Sequence, residues 1–200
     1  MTGTVIPAGT LPVYLVGARA PLWWGMVLLL AIESVVFGGL ITSYFYLKQA
    51  SGSFPPPGLE RPELLLPTIN TFVLIGSSLA MYYGDRGLKQ GDQRRLKLGQ
   101  TTALVLGIVF LTIKYLEYSN LSYDWSSHAY GSITWTMSGF HAAHVTGVVL
   151  KGLVVDALAW KGHFTRERRL GVQINGLYWH FVVVIWIPLY FTLYWSPRLF

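Results

Sequence analysis

The sequence predicts an all-α, polytopic membrane protein: a bundle of five transmembrane helices with the N-terminus inside and the C-terminus outside. Three observations predict it. First, only 12% of the 200 residues are charged while 52% are hydrophobic and 15% aromatic, against about a quarter charged in a soluble globular domain. Second, the nine acidic and fifteen basic residues leave five nearly uncharged stretches, each long enough at ~1.5 Å per residue to cross a ~30 Å hydrocarbon core. Third, the basic residues cluster in alternate connections, as membrane topology requires. A backbone in lipid must satisfy its own polar groups, so the five stretches are read as helices. They consume more than half the chain, leaving a single membrane domain over 1–200 and no room for a large extramembrane enzyme domain.

The elements follow in order. The first span covers 22–47 and contains Glu33; the connection 48–63 holds the run SGSFPPPG over 51–58, whose prolines and glycines cannot continue a helix. The second span, 64–84, places Gly76, Ala80 and Gly84 at four-residue spacing. The third, 98–118, ends with Lys114 and Glu117. The fourth, 132–158, carries a second stripe of small residues, Gly139, Ala143 and Gly147, together with His141 and His144; the fifth, 175–195, carries His180. Small residues at this spacing let helix backbones approach closely in lipid, so both stripes are read as packing faces. No tract repeats at a fixed period.

With the N-terminus inside, the inner side holds Arg19, then Arg86, Lys89, Arg94, Arg95 and Lys97, then Lys161, Arg166, Arg168 and Arg169. The outer side holds only Lys48, Arg61 and Arg198, with Lys114 and Lys151 inside or at the edge of spans. The positive-inside rule explains this asymmetry, and with it the net charge of +6, without any nucleic-acid partner. Trp23, Trp24, Trp160 and Trp179 then fall near the inner surface and Trp125, Trp135 and Trp195 near the outer one, where amphipathic rings sit at the headgroups. The first twenty residues lack the basic, apolar and small-residue order of a removable signal peptide. The absence of cysteine removes disulfides, thiolate metal sites and cysteine nucleophiles.

The residues that lipid disfavours are Glu33, Lys114, Glu117, His141, His144 and His180; a charge at a helix centre costs roughly 2.5 kcal/mol or more. Counting the rise from the span ends puts Glu33 and His144 near the midplane, His141 about a turn further out, Lys114 with Glu117 in the outer third, and His180 near the inner surface. Glu33 is therefore expected to pair with His144 or His141, and a Glu33–His144 hydrogen bond is the specific expectation. Lys114 and Glu117 share a helix face and neutralise each other, with the lysine reaching toward water. His141 and His144 could share a metal, but a stable site wants three or four ligands, so interhelical hydrogen bonding is the default. A proton path through Glu33 and the histidines, as in a small transporter, is one alternative; a standalone metalloenzyme at the two histidines is another.

Across nearly the whole chain after about residue 20, these residues resemble subunit III of the haem–copper respiratory oxidases in its short five-helix form. The resemblance rests on IESVVFG (32–38), LPTINT (66–71), YLEY (115–118), YGS (130–132), GFHAAHV (139–145), YWHFV (178–182) and LYW (193–195), in that order. Ala142 stands where the family often has glycine, Val183 where it usually has aspartate, and Lys114 where a neutral polar residue, often glutamine, is common. The two extra N-terminal helices of the long form are not expected. The resemblance implies a subunit of a proton-pumping cytochrome c oxidase, integral to the bacterial inner membrane, with no catalytic centre of its own. Haem and copper would lie in partner subunits. Subunit I would be a direct partner, with subunit II and other respiratory subunits nearby and structural phospholipid bound. The role would be to support subunit I, keep proton uptake fast and durable, and provide an oxygen path through lipid. Glu33 would be the family's buried glutamate, with Glu117, His141, His144 and His180 bracing the helices. An accessory subunit of nitric oxide reductase is the alternative within the same family.

Overall fold

The computed structural model describes residues 17–59 and 61–199; the expectation for the first twenty residues lies largely outside them. No strand occurs among the described residues, and five helices are long and apolar enough to cross a membrane. They are α1 (Pro21–Ala50), α2 (Leu65–Gln90), α3 (Gln93–Ser119), α4 (Ala129–Trp160) and α5 (Leu170–Tyr190). A wider π-helical turn, Phe191–Trp195, and a last helical turn, Ser196–Leu199, follow α5. The helices overrun the expected spans because a span was bounded where charge begins, whereas a helix continues as long as its ends are satisfied. Thus α2 runs on through the Asp85–Lys89 ion pair. Helix α3 starts at Gln93, capped by Asp92, whose carboxylate accepts the Arg95 N–H at 3.0 Å, and such caps are worth about 1 kcal/mol.

Between α2 and α3 lies a minimal turn. Gly91 adopts φ +86°, a left-handed conformation that glycine enters without penalty and that commonly ends helices. The two helices then lie backbone to backbone. A Cβ placed on Gly99 would come within 2.5 Å of the Gly84 Cα and 2.6 Å of the Ala80 carbonyl oxygen. The stripe on α2 therefore meets α3 at Ala80 and Gly84, while Gly76 makes only ordinary contact with Leu106. The fourth-span stripe differs from expectation. Ala143 and Gly147 are exposed, Gly139 reaches only the Tyr118 hydroxyl at 3.9 Å, and Gly147 has nothing within 4 Å. The face of α4 that packs closely is instead the one carrying Gly152, and with Gly107 of α3 it encloses Trp179.

Trp179 is a correction. It lies in the core, with its indole N–H donating to Ser77 Oγ at 2.9 Å, because the tight α2–α3 pair leaves a slot that a large ring fills and a hydroxyl satisfies. Trp24, Trp125 and Trp160 are exposed. The main core runs between α2, α3, α4 and α5 through Leu74, Met81, Phe110, Met137, Trp179 and Trp186. Helix α1 stands at the side, buries only Phe37 and Tyr44, and packs mainly on α4 and α5. Pro188 in α5 lacks the N–H that would close its turn, and the wider turn that follows points Tyr194 into the bundle and leaves Trp195 outside.

Candidate functional site

Three groups of polar side chains lie at membrane depth. In the middle, Glu33 of α1 faces α4 and α5. Its Oε1 accepts a hydrogen bond from the Tyr178 hydroxyl at 3.1 Å, and His144 Nε2 stands 3.7 Å from the same oxygen. The expected Glu33–His144 pair is thus brought together at ion-pair distance, longer than a hydrogen bond, and the hydrogen bond at that oxygen comes from Tyr178. The carbonyl of Phe140, which can only accept, lies 2.7 Å from His144 Nδ1, so Nδ1 carries a proton. Nε2 then faces Glu33. Lys151, about two turns along α4 from His144, sits with its ammonium 4.6 Å from the Tyr178 ring centre. It lies within electrostatic reach of Glu33.

His141 does not join this group. It is fully buried, donates through Nε2 to the Val182 carbonyl at 3.0 Å, and is enclosed by the rings of Phe37, Phe110 and Trp186. It fastens α4 to α5. His180 pairs with Ser78 of α2 at 2.6 Å through Nδ1, fastening α5 to α2. Among the described residues no three histidine, cysteine, aspartate or glutamate side chains are grouped as metal ligands. His141 and His144, though a turn apart, spend ring nitrogens on backbone carbonyls of different helices.

Toward the other end, Lys114 is 2% exposed. Its ammonium bonds Glu117 Oε2 at 2.9 Å and the Tyr194 hydroxyl at 2.9 Å, and the rings of Trp186, Tyr118 and Tyr194 stand 5.0, 5.3 and 5.5 Å away. Tyr194 also donates to Glu117 Oε1. The expected local pair exists, but the lysine does not reach toward water. It turns inward because the π-helical turn brings a phenol that, with the carboxylate, can satisfy an ammonium away from solvent. In the α3–α4 connection, burial raises the Tyr123 phenol above its ordinary value. The Ser126 and Ser127 hydroxyls and the Ser126 amide hold the Asp124 carboxyl below its own.

Sequence alone does not identify Tyr178, Tyr194, Ser78 and Trp179 as partners, and places Lys151 only inside or at the edge of a span. Lys151 was detectable, since residues seven apart share a helix face and His144 lies seven before it. Tyr178, Trp179 and Tyr194 lie in the YWHFV and LYW runs, which mark the segments but not the partners, and Ser78 in an apolar run reads as ordinary filling.

The chain matches the family model described as cytochrome c oxidase subunit III over residues 12–197. It is 37% identical over 171 residues to cytochrome c oxidase subunit 3 of Thermostichus vulcanus, covering 85% of each chain. It is 36% identical over 172 residues to that of Synechocystis sp., covering 86% of this chain and 74% of that protein. The platypus subunit, from Ornithorhynchus anatinus, is 30% identical over 181 residues, covering 86% of this chain and 68% of its own. Five membrane-length helices, the interhelical polar contacts and a family match spanning nearly every element lead to one conclusion: the chain belongs to the cytochrome c oxidase subunit III family.

Proposed function

We propose that this chain works as the non-redox subunit III of a proton-pumping terminal oxidase in aerobic electron transport, docked on subunit I in a bacterial inner membrane. The family match over residues 12–197 carries the reading. The geometry supports it: the intramembrane polar groups are committed to joining helices, α1 to α5 through Glu33 and Tyr178, α4 to α5 through His141, and α3 to the end of α5 through Lys114 and Glu117. Such a chain braces and shapes. Each intramembrane histidine bonds a carbonyl or a serine through one ring nitrogen, and no three candidate ligands are grouped among the described residues. In this reading haem, copper and the electron path belong to partner subunits, I and II foremost.

In this reading the N-terminus lies inside, the apolar outer surface of α1 and α4 meets partner helices or structural phospholipid, and the subunit sustains proton uptake and oxygen access for subunit I. The test is purification from membranes through a tag on this chain, with an optical spectrum and a subunit inventory. Co-purification of a haem–copper subunit that reduces oxygen is expected. Recovery of the chain alone, or with a partner that reduces nitric oxide instead, overturns the reading.

A further inference from the structure

A cavity opens beside the Lys114–Glu117–Tyr194 group. It has about 40 Å³ open to the centres of water molecules, room for roughly three at ~10–15 Å³ each. Three hydroxyls on its wall, Tyr118, Tyr130 and Ser138, lack a hydrogen bond of full geometry; Tyr118 and Ser138 neighbour each other and Tyr130 neighbours the Tyr123 phenol, and Tyr130 and Ser138 are buried. Buried polar groups are normally paired, and an orphan hydroxyl costs about 1–3 kcal/mol. The cavity shares Pro62, Glu117, Leu121, Tyr123 and Tyr194 with a larger hollow of about 350 Å³. That hollow is rimmed by the exposed Arg61, Glu63, Asn120 and Ser122, on the face where the α1–α2 and α3–α4 connections lie. The Arg198 guanidinium donates to the Pro62 carbonyl and ties the last helical turn to this rim.

We propose that the cavity is a hydrated inlet: a small water cluster, bound by the Tyr118, Tyr130 and Ser138 hydroxyls and the Glu117 carboxylate, links the buried group to the aqueous phase on this face. Each Glu117 oxygen already accepts one hydrogen bond, from Lys114 or Tyr194, and each retains a further lone pair for water. Water at the cavity floor can donate to that lone pair and exchange with the water of the larger hollow. The groups that face this exchange are Lys114, Glu117 and Tyr118 from α3, Tyr123 from the connection, Tyr130 from α4, Tyr194 from the π-helical turn, and Arg61 and Glu63 at the rim. The inference concerns this chain's own walls and does not rest on which complex contains it.

The chain has no cysteine, so single thiols report access cleanly. Ser138→Cys at the cavity wall, Ser126→Cys in the exposed connection and Thr136→Cys on the outward side of α4 are prepared in the assembled complex, in sealed vesicles, and treated with silver ion from either face. Loss of the free thiol is expected at Ser138→Cys from the same face as at Ser126→Cys, with retention at Thr136→Cys. No loss at Ser138→Cys, loss from the opposite face, or equal loss at Thr136→Cys overturns the proposal. A high-resolution structure of the unsubstituted complex supplies a second reading. Ordered water bridging Tyr118, Tyr130 and Ser138 is expected, and a dry cavity overturns the proposal whatever the thiols do.

Discussion

At the scale of single residues, Lys114 carries the largest stake. Its ammonium is held by one carboxylate, one phenol and three ring faces, so removing either charge strands the other. Lys114→Met or Glu117→Gln alone is expected to cost about 3–5 kcal/mol, and the double replacement much less than the sum. Denaturant or thermal melting of the purified protein checks this, and strict additivity would show that the two do not act as a unit. At Glu33 the stakes are smaller, since interhelical hydrogen bonds in membranes average about 0.6 kcal/mol. A double-mutant cycle of Glu33→Gln and Tyr178→Phe is expected to return a coupling of about that size, measured in the same way. The Lys114–Glu117 pair was legible from its spacing of three; its burial was not, because the third partner arrives on a turn whose geometry leaves no periodic trace. Likewise the depth arithmetic brings Glu33 and His144 to one level, where they stand 3.7 Å apart, but gives no sign that Tyr178 bonds the same carboxylate oxygen.

At the scale of elements, the two glycine stripes look alike in sequence and behave oppositely in space. Gly99→Ala would drive a methyl into the Gly84 backbone, which cannot yield as a side chain end could. A destabilisation at or above the usual 1–3 kcal/mol of overpacking is expected, with loss of the folded chain from membranes. Gly147→Ala meets open space and is expected to stay within about 0.5 kcal/mol. Comparing the two by yield and melting temperature tests whether the α2–α3 contact, rather than the outward side of α4, holds the bundle. Spacing alone marks both stripes; only the facing helix's own glycine, Gly99, separates them, and it lies at the charged end of α3, next to Arg94, Arg95 and Lys97. The α3–α4 connection behaves differently again. Asp124 accepts from the Ser126 amide at 2.9 Å and from the Ser126 and Ser127 hydroxyls at 2.8 and 2.9 Å, which lowers its folded pKa. The turn's added stability is therefore present above the unfolded value near ~3.9 and lost as pH falls through the lower folded value. Protection of the Ser126 amide from hydrogen exchange, corrected for the intrinsic rate, is expected to vanish across that acid window and hold at neutral pH.

At the scale of the whole molecule, five crossings and their order were legible because lipid permits so few alternatives: a charge-poor stretch of sufficient length has to be a helix. The packing among them was not, since every face of an apolar helix reads the same and Trp179, expected at a headgroup, fills the centre instead. The expected orientation rests on the ten basic residues that the positive-inside rule assigns to the inner side. It is checked by placing cysteines in the cysteine-free chain: a thiol at Arg168 is expected to react with an impermeant maleimide from the cytoplasmic side, and one at Ser122 from the other. The side-on position of α1 bears on how the protein is made. Of these five helices α1 leaves the ribosome before the others, yet within this chain the surface it binds consists of α4 and α5, which are made after it. Until they follow, Glu33 lacks the tyrosine of this chain that will bond it, so α1 precedes α2 and α3 into the bilayer but completes its contacts within the chain only with α5.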